Sequence, residues 1–267
     1  MSFKTSLVIA TYNWPSALEL TLKSVNNQVL PPSEIVVADD GSKDDTKALV
    51  DEFKKQTNIP IIHVWQPDEG FQLAKIRNRA FAAAHHPYII QIDGDLILHR
   101  NFIADHIRIA RPKHFVSGSR VLLSQQTAAA LLREKSIDVN HTVSENKNYL
   151  NGLRSPFLSK MLAPVYKTSG KNKYYVKGCN MAFWKEDLLK VNGYNEEFLG
   201  WGKEDSEIAI RLINAGIKKL FLKFGGISYH LYHKEASRDL EDRNVAIMNR
   251  TIADKLIWAN KGIQQYL

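Results

Sequence analysis

Four apolar runs alternate with three helix-patterned stretches in the first 93 residues, and that alternation leaves few architectures open. The runs are Leu7-Val8-Ile9-Ala10, Glu34-Ile35-Val36-Val37-Ala38, Ile61 to Trp65 and Tyr88 to Ile92. A strand with one wet face alternates polar and apolar residues; an unbroken apolar run implies burial on both faces. Between the runs, residues 17–25, 44–55 and 72–84 read as helices, the third apolar at Leu73, Ile76, Ala80 and Phe81. Pro15 suits an early helical position, and Asp44 and Asp45 sit at the positive end of the second helix. The expected fold is α/β, a mostly parallel central sheet flanked by helices. Such sheets bind ligands beyond the carboxyl ends of their strands. Three polar clusters fall there: Thr11-Tyr12-Asn13, Asp39-Asp40-Gly41-Ser42 and Asp93-Gly94-Asp95. The last sets two carboxylates either side of a glycine, a pattern that can hold a hard cation beside a phosphate. Asp-Gly-Asp is also an ordinary turn sequence, so the argument rests on three clusters sharing one rim.

Beyond residue 93 the pattern is harder to read. His114 to Leu123 reads as a strand and Thr127 to Lys135 as a helix. Residues 136–173 are polar, rich in Asn, Ser and Lys, and broken by Pro156 and Pro164. So long an irregular stretch fits a functional insertion or a solvated surface excursion equally. Tyr174 to Phe183 reads as a strand or strand pair. Glu204 to Ala215 reads as a helix ended by Gly216. Lys218 to Leu222 and Ile227 to His230 read as short strands. Asp239 to Ala259 reads as one long amphipathic helix, expected to pack on its own domain, with membrane-surface or partner binding as the minority alternative.

The 267 residues are 44% hydrophobic and 24% charged, enough for a full core. No stretch reaches the roughly 18–20 apolar residues of a membrane helix, and Met1 to Thr5 does not open a signal peptide. The single Cys179 excludes an intrachain disulfide and fits a reducing compartment. A buried thiol is its default reading. Lysine and arginine total 36 against 28 acids, a net +8, which attracts anions such as nucleotides, acidic glycans or anionic lipid. No basic-aromatic module of a nucleic-acid binder is present, so no nucleic-acid partner is expected.

Later in the chain stand Asn192-Gly193-Tyr194, then Gly200-Trp201-Gly202-Lys203-Glu204-Asp205, then His230 and His233. With Val8 to Asn13, Val36 to Ser42, Asp93-Gly94-Asp95 and Gly70 to Asn78, these blocks resemble inverting glycosyltransferases of family 2 with the GT-A fold, a Rossmann-like nucleotide-diphospho-sugar transferase fold. The Gly70 block and Trp-Gly-x-Glu-Asp are similar to bacterial chondroitin-polymerase-type domains, and the latter motif also to animal beta-1,4-galactosyltransferases. The matching blocks span residues 6–233. Each is unspecific alone; their order and spacing carry the likeness.

The resemblance implies a single domain over residues 1–267. Its nucleotide-sugar-binding half would be 1–125, its acceptor and catalytic half 126–238, and its C-terminal helix 239–267. It implies that Thr11, Tyr12 and Asn13 line the nucleoside pocket and that Asp40 accepts the uracil N–H. It places Asp93 at the ribose and the metal's water shell, Asp95 on the metal, and His230 or His233 as the imidazole ligand, with His230 favoured and the other bland. Oxygen-rich coordination with one imidazole favours Mn²⁺, with Mg²⁺ the alternative. Arg77 would neutralise phosphate or ribose-side charge or else lie on a solvated helix face, the preferred reading for Lys75. Asp205 is the expected catalytic base. Glu204 would bind sugar hydroxyls, Trp201 would offer a ring face to a sugar, and Glu207 would be surface or supporting. Ser42 or Asp44 would cap the second helix.

The expected activity is metal-dependent, inverting transfer from a UDP-sugar, galactose or N-acetylgalactosamine favoured, to a saccharide or lipid-linked saccharide in bacterial surface polysaccharide synthesis. The expected location is cytoplasmic, with possible peripheral contact at the inner face of the membrane. A catalytically silent nucleotide- or sugar-binding module of the same fold is the alternative. A nucleotidyltransferase would need a Gly-rich phosphate loop after the first strand, and Thr11-Tyr12-Asn13-Trp14-Pro15 supplies none.

Overall fold

The computed structural model describes residues 3–139, 146–234 and 237–267. The first half follows the sequence pattern: β1 (Thr5–Thr11), α1 (Pro15–Asn26), β2 (Glu34–Asp39), α2 (Asp44–Gln56), β3 (Ile61–Trp65), α3 (Leu73–Ala83) and β4 (Tyr88–Asp93). The chain continues through β5 (Leu96–Leu98), α4 (Phe102–Ile109), β6 (His114–Ser117), β7 (Val121–Leu122), α5 (Gln125–Glu134) and α6 (Pro156–Leu162). It ends with β8 (Asn180–Trp184), α7 (Lys185–Lys190), α8 (Glu204–Asn214), β9 (Lys218–Phe221), β10 (Ser228–His230) and α9 (Glu241–Ala253).

Seven strands form the central sheet in the order β3-β2-β1-β4-β8-β6-β9. All neighbours pair in parallel except β8, which runs antiparallel to β4 and β6. The unbroken apolar strands divide by alternation between two cores. Leu7, Ile9, Ile35, Val37, Ile90 and Ile92 face Leu18 and Leu22 of α1, Phe53 of α2 and Phe102 of α4. Val8, Ala10, Val36, Ala38 and Ile89 face Ile76, Ala80 and Phe81 of α3 and Ile208 and Leu212 of α8. Period-two alternation of side chains in a strand produces this division, so both faces of the sheet are dry. A second sheet, β5-β10-β7, lies under a smaller cluster of Ala17, Leu20, Leu123 and Leu131.

Several expectations need correction. The strand expected over His114 to Leu123 is two strands in two sheets, separated at Gly118, where a Cβ would lie 2.4 Å from the Asn180 side chain. Tyr174 to Phe183 contributes only β8. The polar stretch 136–173 contains α6, whose Ser155 N-cap accepts the Leu158 N–H; residues 140–145 of that stretch lie outside the described residues. The C-terminal helix is shorter than expected. Thr251 donates to Glu207, and Asn244 donates to the carbonyl of Leu199, so α9 is tied to α8 and the loop before it. Glu207 is not on the surface: it is 1% exposed and ion-paired with Arg211 on the same helix. Neither Ser42 nor Asp44 caps α2. The Ser42 hydroxyl accepts the Asn13 N–H, and Asp39 accepts the Ser42 N–H, tying the ends of β1 and β2 together. Among the described residues no helix is long and apolar enough to cross a membrane.

Candidate active site

Strands β1, β2, β4, β6 and β9 end on one rim, and the antiparallel β8 begins there. At the β2 end, Asp40 is 5% exposed. Its carboxylate accepts the Gln66 side-chain amide at 2.6 Å and the Gln72 backbone N–H at 2.9 Å. Burial pushes its pKa up to about 6 against those two bonds. Each oxygen therefore already has a protein donor, and any further donor must share one. Tyr12 is half exposed and donates its hydroxyl to Asp68 at 2.9 Å. Asn13 takes a positive φ of 45°, a conformation that asparagine tolerates better than most residues. Thr11 is buried beside Gly94. The backbone crosses here without room for a side chain: a Cβ on Gly94 would lie 2.9 Å from the Ala10 carbonyl oxygen, and the Gly94 N–H donates to that oxygen at 2.7 Å.

Gly94 separates two carboxylates with different surroundings. Asp93 meets Arg77, which is not on a solvated face but 1% exposed inside the molecule. Arg77 donates from Nη2 to Asp93 and from Nη1 to Asp205, both at 2.9 Å, and lies 3.8 Å from Glu204. One buried guanidinium thus gathers residues from β4 and the start of α8. Tyr194 completes the cluster. Its hydroxyl is 2.8 Å from Asp205 Oδ1 and 3.0 Å from Gln91 Oε1, and its ring lies under the Arg77 guanidinium at 5.3 Å. Asn78, next to Arg77 on α3, fixes Tyr194 through its backbone N–H and carbonyl at 2.7 and 2.8 Å. Asp205 also needs space. A Cβ on Gly178 would come within 1.8 Å of Asp205 Oδ2, so glycine at 178 is what admits this carboxylate. Burial, together with the neighbouring Asp205 charge, raises the Glu204 pKa against the pull of Arg77. Burial likewise raises that of Asp93 against Arg77.

Asp95 instead meets two histidines. Antiparallel pairing of β10 with β5 puts His230 opposite Leu96, and the Leu231 N–H donates to the Asp95 carbonyl. The Nε2 atoms of His230 and His233 lie 3.3 and 3.1 Å from Asp95 Oδ2. One ligand atom from each of the three residues falls within 4.8 Å of the others. Both histidines reach Asp95: the small sheet delivers His230, and the turn after it returns His233, braced edge-on by Trp14. Burial lowers the His230 pKa to about 4, while the bond to Asp95 raises that of His233. Asp95 Oδ1 is buried and without a hydrogen-bond partner. An orphaned carboxylate oxygen beside two imidazoles fits a divalent cation with mixed oxygen and nitrogen ligands, and suits Mn²⁺.

Trp201 is 38% exposed at the rim, with the Arg238 guanidinium 4.7 Å from its ring. Lys75 pairs with the exposed Glu69, as its solvated-face reading expected. Cys179 is buried, its thiol accepting from Arg120 at 3.0 Å and its pKa pushed up to about 11 by burial, so it is no nucleophile. Sequence reasoning assigned no role to Tyr194, Gln91, Gly178, Arg120 or Trp14. Tyr194 stood in a block already singled out. The others carried no local signal.

Two family models match the chain. "Glycosyl transferase family 2" covers residues 6–169 and "N-terminal domain of galactosyltransferase" covers residues 160–234. The chain belongs to glycosyl transferase family 2, and its mostly parallel, helix-flanked sheet is a GT-A fold. It is 27% identical to the chondroitin synthase of Escherichia coli, with 84% of this chain and 34% of that protein covered. It is 28% identical to the hyaluronan synthase of Pasteurella multocida, over 86% of this chain and 24% of that one. The chain thus spans about a third of one of these relatives and a quarter of the other. Among solved structures it resembles S. aureus TarS 1-349 in complex with UDP, at TM-score 0.66, 16% identity, and 98% and 68% coverage. It also resembles the mannosyltransferase PcManGT of Pyrobaculum calidifontis in complex with GDP-Man and Mn²⁺, at TM-score 0.65, 18% identity, and 96% and 65% coverage.

Proposed function

We propose that this chain is a metal-dependent, inverting glycosyltransferase that moves a sugar from a UDP-sugar to a hydroxyl of a saccharide acceptor. The observation that carries the reading is the pair of clusters either side of Gly94: Asp93–Arg77–Asp205–Tyr194, and Asp95 with His230 and His233. The relatives that make chondroitin and hyaluronan, and the neighbour bound to UDP, support a UDP-sugar donor and polysaccharide synthesis. The second family match favours galactose or N-acetylgalactosamine as the sugar moved. A cytoplasmic site of action, near the inner face of the membrane for a lipid-linked acceptor, belongs to the same proposal. So does the division into a donor half (1–125), an acceptor half (126–238) and a C-terminal helix (239–267).

Asp95, His230 and His233 would hold Mn²⁺ or Mg²⁺, which when bound offsets charge on the departing diphosphate. Thr11, Tyr12, Asn13 and Asp40 line the nucleoside side. Asp205 Oδ1 is committed to Arg77 and Tyr194, so the carboxylate is held in one orientation with Oδ2 left for the acceptor. Asp205 takes the acceptor hydroxyl proton as that oxygen bonds to the anomeric carbon. The bond from that carbon to the diphosphate breaks, UDP leaves with the electron pair, and configuration inverts. Arg77 holds the Asp205 and Asp93 side chains near each other. Glu204 and Trp201 meet sugar hydroxyls and a ring face.

Calorimetry of UDP binding with and without Mn²⁺, on wild type and Asp95→Ala, tests the donor site. Metal-dependent binding that the variant loses is the expected result. Absence of UDP binding under both conditions in the wild type would overturn the proposal.

A further inference from the structure

At the other end of the rim from β2, where β6 and β9 finish, lies a cavity of about 360 Å³. Its walls come largely from residues 148–177, most of them in the stretch 136–173 that the sequence left between insertion and surface excursion. Arg120, Lys167, Lys177 and Lys223 line it with Tyr175 and Phe221, and no described lining residue is acidic. None of the four cations has a carboxylate partner among the described residues. Arg120 donates to Cys179 Sγ, and Lys223 to the Asn151 side chain at 2.8 Å. Lys167 Nζ sits 4.6 Å from the Tyr175 ring and 5.6 Å from Phe221, with Lys177 Nζ 5.4 Å from Tyr175 on the same ring. Burial and mutual repulsion lower the pKa of Lys177, next to Arg120, and of Lys223, next to Lys167. Four cations with no carboxylate in ion-pair range among the described residues, set around aromatic faces, form a site for an anion attached to a ring-shaped, partly apolar body.

The cavity lies next to the reaction centre. Lys177 precedes Gly178, on which Asp205 rests, and the charge of Arg120 is felt at both Asp93 and Asp95. The expected nucleoside pocket is on the far side of that centre, at β1 and β2. We propose that this cavity is the acceptor subsite for an acidic sugar, one bearing a carboxylate or a phosphate, held by Arg120, Lys167, Lys177 and Lys223. The assignment to the acceptor rests on the transferase reading above; the anion site itself does not.

The test is calorimetric binding of three probes to the full chain: tetragalacturonate, the same tetrasaccharide after carboxyl reduction, and galactose 6-phosphate. Each is run with and without saturating UDP, on wild type and on the double variant Lys167→Gln/Lys223→Gln. Removing charged hydrogen-bond donors from such a site weakens binding roughly tenfold or more. The expected result is that at least one acidic probe binds roughly tenfold tighter than the neutral one. Which of the two binds distinguishes carboxylate from phosphate. That preference should survive UDP and vanish in the double variant, whose UDP affinity and melting temperature stay at wild-type values. Equal binding of neutral and acidic probes, displacement of the acidic probe by UDP, or an unchanged preference in the double variant would each overturn the proposal. Failure of the wild type to bind UDP, with acid preference intact, would sink the transferase reading and leave the anion site standing.

Discussion

Asp93 and Asp95 are two residues apart, yet one is internally compensated and the other is not. Asp93 shares a buried arginine with Asp205, and Tyr194, Gln91 and Asn78 fix the arginine's surroundings. Asp95 has two histidines at 3.1–3.3 Å and a buried oxygen with no donor. The first cluster carries its own cation, Arg77; the second leaves an oxygen that a cation, as proposed, would complete. Catalytic sites gain from groups that are oriented before substrate arrives, and Asp205 is oriented by folding alone. A metal subsite at Asp95, as proposed, would gain from remaining open, because its ion would exchange with solvent and phosphate.

The sharpest way to break this contrast is Arg77→Met. It strands Asp93, Asp205 and Glu204 with no ion-pair partner among the described residues, and breaking a buried ion pair from one side costs about 3–5 kcal/mol. A large fall in melting temperature, with loss of transfer, is expected in thermal denaturation. A folded variant of wild-type stability would show that the cluster is not a structural centre of the fold. Next in size is Asp205→Asn. Tyr194 and Arg77 remain in place, so the fold and UDP affinity should hold while transfer falls by about 10²–10⁴-fold, the contribution usual for a general base. Single-turnover kinetics with saturating donor and acceptor separates this from a binding defect.

These two predictions concern the part of the site least legible in the chain. The β1–β4 half was readable because continuous apolar runs announce buried strands, and the rim follows from where each run ends. Arg77 was not, because its partners lie 16 and 128 residues away and nothing on α3 marks it as buried. Gly178 has no motif around it; its need for glycine exists only because Asp205 arrives from another element. The two histidines were visible but not their joint placement, which depends on β10 pairing with β5 rather than extending the main sheet. Local spacing showed which residue types were on the rim. Long-range pairing decided what each one touches.

On the open side of the contrast, Asp95→Ala should cost little in the metal-free protein. Its carboxylate anchors no arginine, and His230 is neutral at ordinary pH. A change of about 1 kcal/mol in stability is the scale expected. In contrast to Arg77→Met, this variant should melt near wild type and lose only the Mn²⁺-dependent part of UDP affinity. If it instead unfolds like Arg77→Met, the two clusters are one structural unit.

The smallest effect expected is on Glu204, at the edge of the compensated cluster. Its carboxylate is buried, Oε2 has no partner, and Arg77 stands 3.8 Å away, too far for a hydrogen bond. Desolvation therefore wins, and its folded-state pKa lies above the ordinary value of 4.5. The sign follows from proton counting. Above 4.5 the unfolded chain loses this proton while the folded protein keeps it, so stability falls as pH rises until the folded-state pKa is passed. Glu204→Gln keeps the shape and removes the titration. Its melting temperature should match wild type near pH 4.5 and exceed it by a few degrees above pH 8. The opposite order, wild type more stable at alkaline pH, would mean that Arg77 compensates Glu204 as fully as it does Asp205. The boundary between the compensated cluster and its surroundings would then lie one residue further out.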